Sequence, residues 1–252
     1  MLPAPVYLLS DAHLGVAPAE AERSLVTLLR SLPGDAGALV INGDLYDFWF
    51  EWQHVVPRAG LRVLGELGRL VDQGLPVLWI AGNHDCWGGE VLRADIGVTY
   101  HVGPWRGQLG GWETVIEHGD GLRETEDAPY RRLRRVLRHP WAIRAYRWLH
   151  PDFATRVALR SSHTSRNMRP RDGGEGLRRV AHERLHAGDA PQLLVFGHSH
   201  VPTLERIGRG VFANPGAWMD APRLLRITPQ EVALARWDGT ALVSEQTLAA
   251  QD

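Results

Sequence analysis

Short apolar runs recur along the chain, and each stops abruptly at polar residues. Residues 6–9, 38–41, 77–80 and, much later, 193–196 are followed by Ser, Asn or Gly together with Asp or His. That is the pattern of buried strands that deliver polar side chains at their C-terminal ends. Between them, residues 20–32 and 58–71 place apolar positions three and four apart, for example Leu25, Leu28, Leu29 and Leu32, which predicts helices. Segments 112–117, 211–213, 224–227, 232–237 and 242–245 read as further strands, with Asp238-Gly239 as a hairpin turn. The expectation is an α/β (α+β) fold: two packed sheets flanked by helices and closed by a C-terminal meander.

Residues 121–184 interrupt this scheme with helical periodicity alone. Residues 130–149 read as one or two helices broken near Pro140, residues 152–162 as another, and 169–176 as a loop rich in Pro and Gly. The segment is expected to form a helical cap inserted into a core made of residues 1–120 and 185–252. Charge sharpens the division. The whole chain carries a formal net charge of -1, yet residues 121–184 hold 16 Arg against 7 Asp plus Glu, so the remainder must stand at -10.

At 252 residues and with 44% hydrophobic positions, the chain is long and apolar enough for one large domain, and a disordered or fibrous protein is excluded. Cys86 is the sole cysteine and has no internal disulfide partner. No secretory leader and no run of about 18 apolar residues is present, so the cytoplasm is the expected location, with contact at the inner membrane surface left open.

Five motifs at the ends of apolar runs carry the chemistry: Asp11-Ala12-His13, Gly43-Asp44, Gly82-Asn83-His84-Asp85, His118-Gly119-Asp120 and Gly197-His198-Ser199-His200. Asp and His two apart can turn toward one ion, and a carboxylate from the next strand end can bridge two ions with its two oxygens. Carboxylate, imidazole and amide oxygen together suit divalent Mn²⁺, Fe²⁺ or Zn²⁺, and the lack of thiolates argues against a structural zinc site. A single His at a strand end is more often a hydrogen-bonded core or surface group than a ligand. Five such motifs in order make coincidence implausible.

In these motifs and their order the sequence resembles the calcineurin-like metallophosphoesterases. The resemblance implies a four-layer αββα sandwich and a two-metal site. It assigns Asp11, His13, Asp44 and His200 to one metal and Asp44, Asn83, His118 and His198 to the other, with Mn²⁺ as the expected ion and Fe²⁺ or Zn²⁺ as alternatives. It makes His84 the residue that stabilises or protonates the leaving oxygen, with Asp85 orienting its ring. Residues 10–15 and 43–49 are further similar to the UDP-2,3-diacylglucosamine hydrolases, which cleave a lipid A precursor to UMP and a lipid monophosphate. This narrower likeness implies a substrate-binding cap with Asp127, Tyr130, Arg156, Arg160, Ser161 and Asn167 as contacts. The departure is His84, where that family mostly carries Arg.

Arg forks suit a pyrophosphate, and Trp141, Ile143, Tyr146, Trp148 and Leu149 could hold acyl chains, rest on an anionic membrane, or simply pack the cap onto the body. The alternatives are hydrolysis of another phosphodiester, nucleotide or phosphoprotein, a non-catalytic interaction protein, and a nucleic-acid binder using the arginines of residues 131–138. Nucleic acid is not the expected partner, and the sequence assigns no oligomeric state.

Overall fold

The computed structural model describes residues 1–252 apart from 33, 35, 169–171 and 252, and without the side chains of 161–168. Strand and helix alternate through β1 (Val6–Leu9), α1 (Ala19–Ser31), β2 (Ala38–Asn42), α2 (Leu61–Asp72), β3 (Val77–Ile80) and β4 (Thr99–His101). A hairpin follows, β5 (Trp105–Leu109) and β6 (Trp112–Ile116), and then four helices: α3 (Ala128–Leu137), α4 (Pro140–Tyr146), α5 (Pro151–Met168) and α6 (Glu175–Leu185). The chain ends with β7 (Leu193–Val195), β8 (Thr203–Ile207), β9 (Gly210–Asn214), β10 (Arg223–Ile227), β11 (Glu231–Trp237) and β12 (Leu242–Ala249).

One sheet has the order β12-β11-β10-β1-β2-β3-β4 and the other β5-β6-β7-β9-β8. Side-chain alternation along β1 sets the layers. Val6 and Leu8 point between the sheets toward Ile116, Val195 and Val211, whereas Tyr7 and Leu9 point outward to Leu25, Leu28 and Leu67 of α1 and α2. Leu177, Val180 and Leu185 of α6 cover the far side of the second sheet against Phe196 and Phe212. The result is the αββα sandwich expected from sequence. Truncating a fully buried side chain between the sheets, such as Leu8, costs about 2–5 kcal/mol.

The strands that carry the motifs run parallel: β1 with β2, β2 with β3, and β6 with β7. Their C-terminal ends therefore meet along one edge of the sandwich. The cap leaves from that edge and docks through Ile143, Tyr146 and Ala154 onto an aromatic patch of Phe48, Phe50 and Trp52.

Several local features differ from the sequence reading. β4, β5 and β8 carry only partial apolar alternation and are not predicted by it. α5 continues to Met168, beyond the expected end at 162. α6 lies within the basic segment but packs on the core sheet. Residues 91–95 form a π-helical turn, fixed because the buried Glu51 carboxylate accepts the N–H groups of Gly89, Val91 and Leu92.

Candidate metal centre

At the C-terminal ends of β1, β2, β3, β6 and β7 the motif side chains converge. Three groups of them bring ligand atoms within 4.8 Å of one another: Asp11, His13 and His200; His13, Asp44 and His84; and Asp44, His118 and His198. His13 Nε2 lies 3.8 Å from Asp11 Oδ1 and 3.9 Å from Asp44 Oδ2. His118 Nε2 lies 3.1 Å from Asp44 Oδ2, and His200 Nε2 lies 3.4 Å from Asp11 Oδ1. Asp44 thus faces both sides.

The backbone shows the same concentration. Among the described residues, the non-glycine positions with positive φ are Asp11, His13, Asp44, His198 and His200, between 44° and 62°. Left-handed backbone costs an L-residue on the order of 1 kcal/mol, and it persists only where surrounding bonds over-determine it. Here they do. The N–H of Asp11 donates to the Gly43 carbonyl at 3.1 Å, that of His13 to the Asp44 carbonyl at 3.0 Å, and that of His198 to Asp11 Oδ2 at 3.0 Å. Close approach explains two glycines: a Cβ on Gly43 would strike the His118 ring, and one on Gly82 would strike the Asp44 carboxylate.

Each carboxylate keeps one oxygen for the protein and turns the other inward. Asp11 Oδ2 accepts from the Ser10 hydroxyl and the His198 N–H, and Asp44 Oδ1 accepts from the His84 N–H at 2.9 Å. The sequence reading expected Asp44 to bridge through both oxygens. Its Oδ1 also takes the His84 N–H, and its Oδ2 faces both His13 and His118.

Burial opposes charge on Asp44, but the His118, His84 and His13 rings outweigh it and hold the carboxyl well below its ordinary value. Burial equally opposes a proton on His118, yet Asp44 and Asp11 raise it to about 10. His200, also buried, is raised to about 9 by Asp11 and Asp220. Asp85 is pushed up to about 6 by burial and then by the Asp44 charge.

These donors fit divalent metal ions. Asn83 Oδ1 is buried with no hydrogen-bond partner among the described residues, and Asp11 Oδ1 and Asp44 Oδ2 are buried facing the imidazole nitrogens of His13, His118 and His200, an arrangement that a shared cation satisfies. His13 Nε2 and His200 Nε2 face each other at 3.2 Å, so they converge on the same point. The imidazoles are also oriented from behind. Nδ1 of His13 lies 3.2 Å from Asp47 Oδ1, and Nδ1 of His118 lies 2.9 Å from the Asn42 carbonyl.

His84 sits beside this group with Nε2 3.9 Å from Asp44 Oδ2. Its orientation corrects the sequence reading. Nδ1 is 2.8 Å from the Asp47 carbonyl, whereas the Asp85 oxygens accept from the N–H groups of Leu45 and Gly82 and from Trp79 Nε1. Asp85 therefore ties the loop to the sheet, and Asp47 sets the ring.

The expected cap contacts divide. Tyr130 lines a cavity of about 300 Å³ that opens beside Asn83 and His84, and its hydroxyl donates to Asp120 at 2.7 Å. Asp127 is buried and accepts the Arg123 guanidinium at 2.7 Å, so it braces the entry to the cap instead of facing the cavity. Arg156 and Arg160 lie on the exposed side of α5. The side chains of Ser161 and Asn167 lie outside the described residues. The cavity walls are mainly apolar, built from Phe48, Phe50, Trp87, Leu137, Ile143 and Tyr146. Sequence analysis did not assign Asp47 a role, although its place three residues after Asp44 was a usable signal.

The profile of the calcineurin-like phosphoesterases matches residues 4–202, and the chain belongs to that family. It is a metallophosphoesterase, a hydrolase of a class that works with divalent metal ions. The chain is 30% identical to UDP-2,3-diacylglucosamine hydrolase of Porphyromonas gingivalis, across 95% of this chain and 96% of that protein. It is likewise 30% identical to the enzyme of the same name from Neisseria meningitidis serogroup A, across 78% and 82%. In fold it resembles YfcE, a phosphoesterase from E. coli, with a TM-score of 0.52 at 15% identity over 98% of this chain and 99% of that one.

Proposed function

We propose that the protein hydrolyses the pyrophosphate of UDP-2,3-diacylglucosamine, releasing UMP and 2,3-diacylglucosamine 1-phosphate. The observation that carries this reading is the apolar cavity that starts at Asn83 and His84 and runs under the cap. A nucleotide or phosphoprotein substrate has no use for it, whereas an acyl chain fills it and leaves the phosphates at the polar end.

In this reading Asp11, His13, Asp44 and His200 hold one divalent ion and Asp44, Asn83, His118 and His198 the other, with Mn²⁺ expected. When bound, the ions supply an acidified water and neutralise charge developing on the phosphoryl oxygens. The chain's own groups do the rest. The Asp47 carbonyl accepts the Nδ1–H of His84 and fixes the ring, so that the doubly protonated imidazolium gives its Nε2 proton to the departing oxygen and is left as the neutral Nδ1–H tautomer. Tyr130 and the aromatic wall orient the lipid, and the cap, residues 121–184, shields the site from water. Trp141 and Trp148 are 76% and 86% exposed beside Arg144 and Arg147, a face suited to the surface of an anionic membrane. No helix among the described residues is long and apolar enough to cross one.

The test is UMP release from UDP-2,3-diacylglucosamine with Mn²⁺, beside the deacylated UDP-sugar and an Asn83→Ala protein. Turnover of the acylated substrate, lost in the variant and weak on the control, is expected. Equal turnover of both substrates, or hydrolysis only of simple phosphodiesters, overturns the reading.

A further inference from the structure

Residues 214–220, between β9 and β10, form a strap across the candidate metal centre. Asn214 Nδ2 donates to the Gly197 carbonyl at 2.8 Å and to Ser199 Oγ at 3.0 Å, gripping the loop that carries His198 and His200. The Trp218 N–H donates to the Ser10 carbonyl at 3.0 Å and the Met219 N–H to the Asp11 carbonyl at 3.3 Å. Asp220 is the next residue. Its Oδ2 lies 3.4 Å from Nδ1 of His200, whose Nε2 is turned toward Asp11.

The two ring nitrogens of His200 thus have separate partners, one behind and one in front. A carboxylate behind an imidazole fixes which nitrogen carries the proton and strengthens the other as a metal donor. His13 is backed in the same way by Asp47, whereas His118, in the group with Asp44 and His198, is backed by a neutral backbone carbonyl.

We propose that Asp220 is a positioning residue that holds His200 for metal binding in the Asp11–His13–His200 group. This rests on the metal-centre reading but not on the substrate. It gives a role to a C-terminal segment in which the sequence alone showed no chemistry beyond Asn214-Pro215-Gly216 at the site edge.

The experiment is calorimetric binding of Mn²⁺ to the metal-free full chain, with no substrate present. The native protein is expected to show two classes of site. Asp220→Asn keeps the size of the side chain and the strap's backbone bonds, and is expected to weaken one class about tenfold while leaving the other unchanged. Asp220→Glu, which restores the carboxylate, is expected to recover most of that loss. Two unchanged classes, an equal loss in both classes or no recovery with Glu overturns the proposal and leaves the metal centre standing. Absence of Mn²⁺ binding by the native chain overturns both.

Discussion

The metal centre and the cap use polar residues in opposite ways. In the centre the turns that carry Asp11, His13 and His198 are pinned by hydrogen bonds of their own N–H groups, and five candidate ligand positions keep a left-handed backbone. In the cap the arginines divide between bracing and display. Arg123 clamps Asp127 and Asp172, and Arg134 and Arg138 share Asp120, whereas Arg144, Arg147 and Arg156 are exposed with no ion-pair partner among the described residues. Rigid preorganisation at the reacting atoms is paired with an adaptable surface where a lipid would enter.

That contrast is sharpest at Asp44. Asp44→Ala is expected to lower UMP release at least about 100-fold, more than the loss of a group that merely supports a ligand, with the circular dichroism spectrum unchanged. A loss below tenfold would place the chemistry elsewhere. Filling the cavity should act on the cap alone: Ala142→Trp is expected to raise KM for the acylated substrate about tenfold and leave p-nitrophenyl phosphate ester hydrolysis intact. Parallel loss on both substrates would merge the two regions.

A third effect separates the centre by pH. His200 and His118 are raised to about 9 and about 10 from 6.5, so the stability they give the metal-free chain is complete below 6.5 and lost as pH climbs through those values. The melting temperature without metal should therefore fall between pH 7 and 10. Mn²⁺ must displace those protons, so its affinity should rise over the same range. A flat melting profile would contradict the charges assigned to the centre. The smallest effect belongs to the outer face of the cap, where Arg144→Gln is expected to reduce partitioning onto anionic vesicles roughly fivefold, at about 1 kcal/mol per arginine. Partitioning that ignores this change would remove the membrane role from α4.

The clustering of the motif side chains was legible because each motif ends an apolar run, and a buried strand that ends in Asp or His exposes its chemistry to simple pattern reading. The layers were legible for the same reason, through the strict alternation at Tyr7, Leu8 and Leu9. What orients the ligands was not. Asp47 and Asp220 reach His13 and His200 across 34 and 20 residues of chain, distances that local periodicity does not register. Asp127 was read as a contact from the narrower family likeness, but its pairing with Arg123 turns it inward. The large apolar residues of α4 split for a geometric reason: Ile143 and Tyr146 share the face turned to Phe50, while Trp141 points away.

One aspect of the connectivity reaches beyond this chain. β6 and β7 are parallel neighbours, paired from Thr114 with Leu193 to Ile116 with Val195, and such strands require a crossover, which α6 supplies. The cap hangs from the link between β6 and that crossover helix, after His118 and well before His198. Insertions there can lengthen, shrink or be exchanged without shifting either histidine. Selection can thus rebuild the guest-recognising module of such a protein while the hydrolytic machinery beneath it is inherited intact.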